Sequence, residues 1–241
     1  MRTIIYGDVH GCLEEFKTLR SELNLTKDDR EISVGDLLDR GDNSNATLTY
    51  AREQKIELVL GNHEYKYLRF TKHEENSKQT GKKNPMVFND EKLAIYNALS
   101  KEDMEYIQNA PFFIKIDNLT ILHAGITNKI ELLNANKKEL ESLTRIRELD
   151  EHQKTLALGQ SCYGSRFWSE FYDGGQGIVV YGHEAFNKVK IEKYSFGIDT
   201  GCVYGNKLTA LIIEDTKEPM LSYNIVQVSA SKQYSTNKGI K

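Results

Sequence analysis

The sequence predicts an α/β fold, an αββα sandwich of two mixed β-sheets flanked by helices, and three features predict it. In the first half, short apolar runs end repeatedly in glycine plus a polar residue, and stretches of helical periodicity separate them. In the second half, apolar runs recur without regular helices between them, which places a second sheet beside the first. At 241 residues the chain fits one large domain, read as spanning residues 1–228.

Residues 3–6 form the first apolar run, ahead of Gly7-Asp8. Leu13, Phe16, Leu19 and Leu23 then recur at helical spacing, so residues 12–25 read as a helix. Runs at 32–34, before Gly35-Asp36, and 58–60, before Gly61-Asn62, are the next strands, with a second helix over 45–55. This alternation implies parallel strands, whose C-terminal loops are the usual place for ligands. Residues 71–85 are polar and lysine-rich and read as an exposed loop. Ser100, with Asp103 three residues on, resembles a capping box for a short helix ending before Pro111. Residues 66–110 are therefore expected to form a helical cap or insertion. Runs at 119–122, 178–181, 194–198, 208–213 and 221–228 read as strands of a second, largely antiparallel sheet, and the polar tail 229–241 is expected to be mobile.

Composition narrows the function classes. Hydrophobic residues make up 39% of the chain, enough for a core, and charged residues 28%, which describes a solvated surface. Cys12, Cys162 and Cys202 are odd in number and widely spaced, so neither a disulfide framework nor a zinc knuckle is indicated. No apolar run approaches the roughly 20 residues needed to span a bilayer. The first strand lies close to Met1, so a cytoplasmic protein without a membrane partner is expected. A net charge of -3 supplies no global attraction for a nucleic-acid duplex. An anionic substrate must be attracted locally, which bound divalent cations would do.

Five clusters hold the polar residues of interest: Gly7-Asp8-Val9-His10-Gly11, Gly35-Asp36-Leu37-Leu38-Asp39-Arg40-Gly41, Gly61-Asn62-His63-Glu64, His123-Ala124-Gly125 and Gly182-His183. Singly, each is an ordinary turn signal. Jointly they hold four of the six histidines. Carboxylate oxygens and imidazole nitrogens suit manganese, iron or zinc, and a carboxylate can bridge two ions. Two ions about 3.5–4 Å apart can clamp the attacking and leaving oxygens of a displacement at phosphorus.

These motifs resemble the G-D-x-H-G, G-D-x-x-D-R-G and G-N-H-E signatures of the calcineurin-like metallophosphoesterases, specifically the phosphoprotein-phosphatase branch. The resemblance extends through His123, His183 and Asp199-Thr200-Gly201-Cys202. It implies two divalent ions, manganese first with iron, zinc, cobalt or nickel as alternatives. Asp8 and His10 would hold the first ion, Asp36 would bridge both, and Asn62, His123 and His183 would complete the second, with a bridging hydroxide as nucleophile. His63, paired with Asp39, would protonate the leaving oxygen, and Arg40 would grip the phosphoryl group. Other readings stay open: His63 orienting Asn62, Arg40 in an ion pair with Asp39 or Asp42, and Glu64 as a structural residue.

Substrate choice rests on less. Thr144-Arg145-Ile146-Arg147 is similar to the T-R-x-R element of bacterial diadenosine-tetraphosphatase-like members, so Arg145 and Arg147 would hold extra phosphates. The alternative is a charged helical stretch. Arg166 is a further phosphate contact, beside Phe167 and Trp168, which either stack on a base or plug the core. Ala124 stands where a second glycine is common, and Glu184 follows His183, which alters the cleft without removing a ligand. The expected substrate is a dinucleoside polyphosphate. A phosphoserine or phosphothreonine protein is the alternative, and a non-catalytic protein-binding scaffold is the reading from a different class.

Overall fold

In the computed structural model, residues 2–217, 222–236 and 240–241 are described. The first half runs β1 (Thr3–Tyr6), α1 (Leu13–Glu22), β2 (Arg30–Ser33), α2 (Ser44–Glu53) and β3 (Glu57–Leu58), followed by α3 (Asn62–Thr80), α4 (Asp90–Ala98) and α5 (Lys101–Gln108). The second half carries β4 (Phe113–Ile116), β5 (Leu119–Leu122), α6 (Lys137–Ser142), β6 (Glu148–Leu149) and β7 (Arg166–Phe167). It ends with β8 (Ile178–Tyr181), β9 (Lys190–Glu192), β10 (Ser195–Gly197), β11 (Lys207–Ile213) and β12 (Tyr223–Ser229). No helix among the described residues is long and apolar enough to cross a membrane.

The strands form two five-stranded mixed sheets, ordered β12-β11-β1-β2-β3 and β4-β5-β8-β10-β9, plus a β6-β7 ribbon. The αββα sandwich is therefore the observed architecture. Its cause is visible in β1, where Ile5 points between the sheets while Ile4 and Tyr6 point to the helices. Ile178 and Val180 of β8 likewise face the inter-sheet core, and Val179 and Tyr181 pack against Leu143, Ile146 and Trp168 on the outer side. Strands covered on both faces read as unbroken apolar runs.

Three expectations are corrected. The runs at 208–213 and 221–228 do not belong to the second sheet: β11 pairs antiparallel with β1, and β12 with β11, in the first. Residue 221 itself lies outside the described residues. The second sheet is parallel at its centre, through β5-β8 and β8-β10, with antiparallel strands only at its edges. A lack of regular helices between strands suggested hairpins, but the β5-to-β8 crossover is built from turns, one short helix and the ribbon. Residues 71–80 are helix rather than loop. They are polar but hold no glycine or proline, and α3 stops only at Gly81, which caps it at φ 70° with its N–H on Ser77 O.

The polar tail makes contacts not foreseen. Glu15 on α1 is 3% exposed, and its carboxylate accepts hydrogen bonds from the Ser231 amide and hydroxyl (2.8 Å each) and from Tyr234 Oη (2.8 and 2.9 Å). A buried carboxylate needs such donors, and residues 231–234 supply them. Residues 237–239 of the tail lie outside the described residues.

The foreseen capping box at Ser100 is present, with Asp103 also accepting bonds from Thr49 Oγ1 (3.0 Å) and Arg52 Nε (2.8 Å). It ties α5 to α2. Burial opposes the charge on Asp103, but the Arg52, Ser100 and Thr49 donors outweigh it and hold the carboxyl below its usual range. We expect Asp103→Ala to destabilise the protein by about 1–3 kcal/mol at neutral pH, read from urea titration. A depressed folded pKa stabilises above the unfolded value, so the gap between variant and wild type shrinks as pH falls below 3.8.

Candidate metal centre

The parallel strands β1, β2 and β3 of one sheet and β5, β8 and β10 of the other all aim their C-terminal ends at one place. Asp8 and His10 follow β1, Asp36 follows β2, Asn62 and His63 open α3 just after β3, His123 follows β5, His183 follows β8, and Asp199 follows β10. Several of these turns take unusual backbone. His10, Asp36, Asp39, Arg40 and His183 all have positive φ, from 46° to 73°. Non-glycine residues hold such angles only where surrounding contacts fix them, and such strain gathers at functional sites.

The contacts that fix them are specific. Glu64, fully buried in the first turn of α3, accepts the amides of Asp36 (2.8 Å), Leu37 (2.9 Å) and Leu38 (3.1 Å). Asp8 accepts the His183 amide on both oxygens at 3.1 Å. A Cβ on Gly182 would collide with Asp8 Oδ1 and come within 2.7 Å of Val34 Cγ2, so only glycine lets that loop close over the carboxylate.

The structure brings together all six residues singled out as ligands. Asp36 Oδ2 lies 3.5 Å from His10 Nε2 and 3.4 Å from His123 Nε2, and Asp8 Oδ2 lies 3.9 Å from His10 Nε2. His123 Nε2 is 2.9 Å from Asn62 Oδ1 and 3.1 Å from His183 Nδ1. Asp36 thus belongs to two potential ion sites, one with His10 and His63 and one with His123 and His183. A carboxylate between two imidazole groups is placed as a bridge would be.

The donors fit cations. His10 Nδ1 donates to Leu38 O (2.8 Å) and His123 Nδ1 to Val34 O (2.9 Å), which leaves both Nε2 lone pairs facing inward. Lone pairs of His123, Asn62 and His183 and a carboxylate oxygen then converge, which is repulsive without a positive charge among them. Buried His183 Nε2 has no hydrogen-bond partner among the described residues. Burial, with the Asp199 and Asp36 charges, drives Asp8 well above the carboxylate range, and burial pushes Asp199 up to about 6. Burial, helped by Arg40 at His10 and by His123 at His183, holds both imidazoles well below their usual range. Burial also opposes charge at Asp36 and His123, yet each favours the other's charged form, so Asp36 falls and His123 rises. Apart from the Asp36–His123 pair the set favours its uncharged forms, and mixed oxygen and nitrogen donors match divalent ions.

His63 Nδ1 bonds Asp39 Oδ2 at 2.5 Å, and its Nε2 faces Arg40 Nη2 at 3.2 Å. Arg40 also reaches His10 Nε2 at 3.0 Å and the Tyr204 hydroxyl. Asp42 instead pairs with Lys232 at 2.6 Å. Sequence reasoning missed Lys92 and Tyr67, which donate to Asp39, and gave no role to Tyr204, which accepts from Arg40, or to Asp199, buried after β10. Tyr204 and Asp199 were findable from the Asp199-Thr200-Gly201-Cys202 motif, but Lys92 sits in a helix with no motif at all.

The three arginines expected to contact phosphate are placed differently. Arg147 Nε is neutralised by Glu184 at 2.7 Å, while Arg145 is exposed, and the two line a cavity of about 420 Å³ with Leu156 and Leu158. Residues 144–147 form a turn into β6, not a helix. Arg166 faces a separate cavity of about 780 Å³ with Lys188 and Lys190, and stacks over Phe171 at 5.2 Å. Phe167 and Trp168 are core residues.

A family model described as calcineurin-like phosphoesterase matches residues 1–213. An asymmetrical bis(5'-nucleosyl)-tetraphosphatase of Oceanobacillus iheyensis is 30% identical over 87% of this chain and 88% of its own length. The corresponding protein of Bacillus velezensis is 24% identical over 97% and 95%. Among solved structures, a candidate diadenosine tetraphosphatase superposes with a TM-score of 0.72 at 24% identity, covering 95% of this chain and 93% of that one. A protein serine/threonine phosphatase from Saccharomyces cerevisiae reaches 0.58 at 15%, covering 96% and 81%. At those identities the structural likenesses speak to the fold.

Glu64→Gln tests the clamp on the Asp36 turn. An amide keeps one acceptor but turns an N–H toward backbone N–H groups, so we expect a loss of about 1–3 kcal/mol in urea titration. An unchanged midpoint would mean that the three amides do not depend on the carboxylate.

Proposed function

Because the chain belongs to the calcineurin-like phosphoesterase family, and is therefore a metallophosphoesterase hydrolysing phosphoester or phosphoanhydride bonds with divalent metal ions, we propose that it cleaves dinucleoside polyphosphates. The observation that carries the chemistry is the convergence of six side chains with oxygen and nitrogen donors, the shared Asp36 carboxylate at their centre. In this reading Asp8 and His10 would hold one ion, Asn62, His123 and His183 the other, and Asp36 would be shared between them. Manganese is the first candidate, since the same donor set accepts several metals. When bound, the ions supply an acidified water and neutralise phosphoryl charge.

The remaining work falls to this chain's own side chains. Arg40, held by Tyr204, presents a planar guanidinium to the phosphoryl oxygens. His63 donates a proton from Nε2 to the departing oxygen, while the 2.5 Å bond from Nδ1 to Asp39 fixes the tautomer. Support for the nucleotide substrate comes from the named activity of the tetraphosphatases to which the chain is 24–30% identical. Arg145, exposed on the cavity wall, is available to a distal phosphate, whereas Arg147 is already matched by Glu184.

Two measurements test this. Wild type should take up two manganese ions per chain in calorimetry, and Asp36→Asn should lose uptake at both sites. On an activated aryl phosphate, Asp36→Asn should cost more than about 10²-fold in kcat/KM and His63→Asn less than about tenfold, because a good leaving group needs no acid. Equal losses would count against the role given to His63. Second, manganese-loaded protein should hydrolyse diadenosine tetraphosphate in preference to phosphoserine or phosphothreonine peptides. Turnover of peptides alone would move the reading to a protein phosphatase, and no turnover of aryl phosphate with manganese, cobalt, nickel or zinc would favour a scaffold.

A further inference from the structure

We propose that Glu184, clamped between Arg147 and Lys241, is a positioning residue that sets how tightly the ion beside His183 is held. The inference rests on the proposed assignment of His183 to that ion. Glu184 immediately follows His183, whose φ of 71° is an angle that a non-glycine residue keeps only under restraint. At the amide of His183 the restraint is Asp8, which accepts it on both oxygens. One residue on, it is the Glu184 carboxylate, which turns each oxygen to a different cation: Oε2 meets Arg147 Nε at 2.7 Å and Oε1 meets Lys241 Nζ at 3.1 Å.

Each cation is itself fixed to its surroundings. Arg147 ends the turn whose Leu143 carbonyl accepts the amides of Ala124 (2.9 Å) and Gly125 (3.4 Å), the two residues after His123. Lys241 lies along residues 185–187, its N–H donating to Ala185 O (2.9 Å) and its main-chain oxygen accepting the Asn187 amide (2.8 Å), while its ammonium also reaches Glu148 Oε1 on β6 at 3.4 Å. Both cations therefore tie the His183 loop to residues 147–148, and the turn ahead of those residues holds the His123 loop. What this tie governs is the approach of the two imidazoles, His123 Nε2 to His183 Nδ1, at 3.1 Å. Two ligands of one ion must keep a fixed separation, and a loop free to relax from a left-handed angle would lose it. The Glu184 side chain is only 13% exposed, so its two charge-assisted contacts form a partly buried network and not an isolated surface pair. The same network draws the Arg147 guanidinium away from phosphate, which makes the two roles separable.

Manganese calorimetry on the full chain is the test. Comparing wild type with His183→Ala identifies which binding event belongs to the His183 ion. Glu184→Gln should then weaken that event by roughly 10- to 100-fold, the range for residues that orient a metal ligand, and leave the other event unchanged. Lys241→Met, at a half-exposed position, should shift it in the same direction, and Lys241→Arg should restore it. Arg147→Met should do little further harm in the Glu184→Gln background, because both changes remove one contact. At saturating manganese, KM of Arg147→Met for an aryl phosphate should match wild type. Equal weakening of both ions in Glu184→Gln would overturn the positioning role, and so would a raised KM with unchanged manganese affinity in Arg147→Met, which would return that arginine to phosphate binding. If His183→Ala keeps both ions, the ligand assignment falls and this role with it. If His183→Ala loses one ion while Glu184→Gln and Lys241→Met bind both as wild type does, only the positioning role falls.

Discussion

The site depends on one buried carboxylate that touches no substrate. Glu64 accepts three successive amides of the turn after β2, and that turn sets Asp36 in a left-handed conformation between His10 and His123. Its own charge is contested. Burial and the Asp36 charge push its pKa up to about 7, while the Leu38 amide and the nearby His63 and His123 favour ionisation. A side chain held at that balance is sensitive to what happens at Asp36, so positive charge arriving there would ease the repulsion and strengthen the clamp. Backbone strain and ligand geometry are therefore linked through one residue on the opening turn of a helix.

The two sheets make the rest of the arrangement possible. Three parallel strands from each deliver their C-terminal ends to the same edge, so residues as distant as Asp8 and His183 meet through a single backbone amide. The cost of that convergence is charge. Asp8, Asp36, Asp39, Glu64 and Asp199 are all nearly buried, with Lys92 bonded to Asp39 and Arg40 close by on His10. Inside a protein such an excess is tolerated only with neutralisation, by proton uptake or by metal. The raised pKa values of Asp8 and Asp199 describe the first remedy, and the inward lone pairs of His10 and His123 suit the second.

What could be read from the sequence follows this division. The glycine-flanked clusters were legible because a sharp turn beside a ligand leaves local constraints, such as the absence of a Cβ at Gly182, that the residue types record. The two-layer architecture was legible because strands buried on both faces are uniformly apolar. Sheet membership was not, since β11 pairs back with β1 through contacts some 200 residues away in sequence that no local pattern encodes, and β12 follows by pairing with β11. The length of α3 was missed for a different reason: a polar helix and a polar loop differ in helix breakers, not in polarity, and Gly81 was the signal that mattered. Lys92 left no trace, because a lysine on a half-exposed helix becomes part of the site only when α4 packs over α3.

That asymmetry bears on how chemistry and selectivity are built here. Most of the groups proposed to hold ions follow strand ends, where the sheet limits movement and glycine opens the space they need. The cations nearby, Lys66 on α3, Lys92 on α4 and Arg145 on the 144–147 turn, are instead long side chains with several rotatable bonds. A long cation tolerates displacement of its backbone better than a metal ligand does, so the helical wall can change without disturbing the bond-breaking machinery. Arg147 illustrates the limit of reading such residues singly: an arginine in a phosphate-binding pattern is here committed to Glu184, the residue that follows His183, and its charge serves to hold that loop.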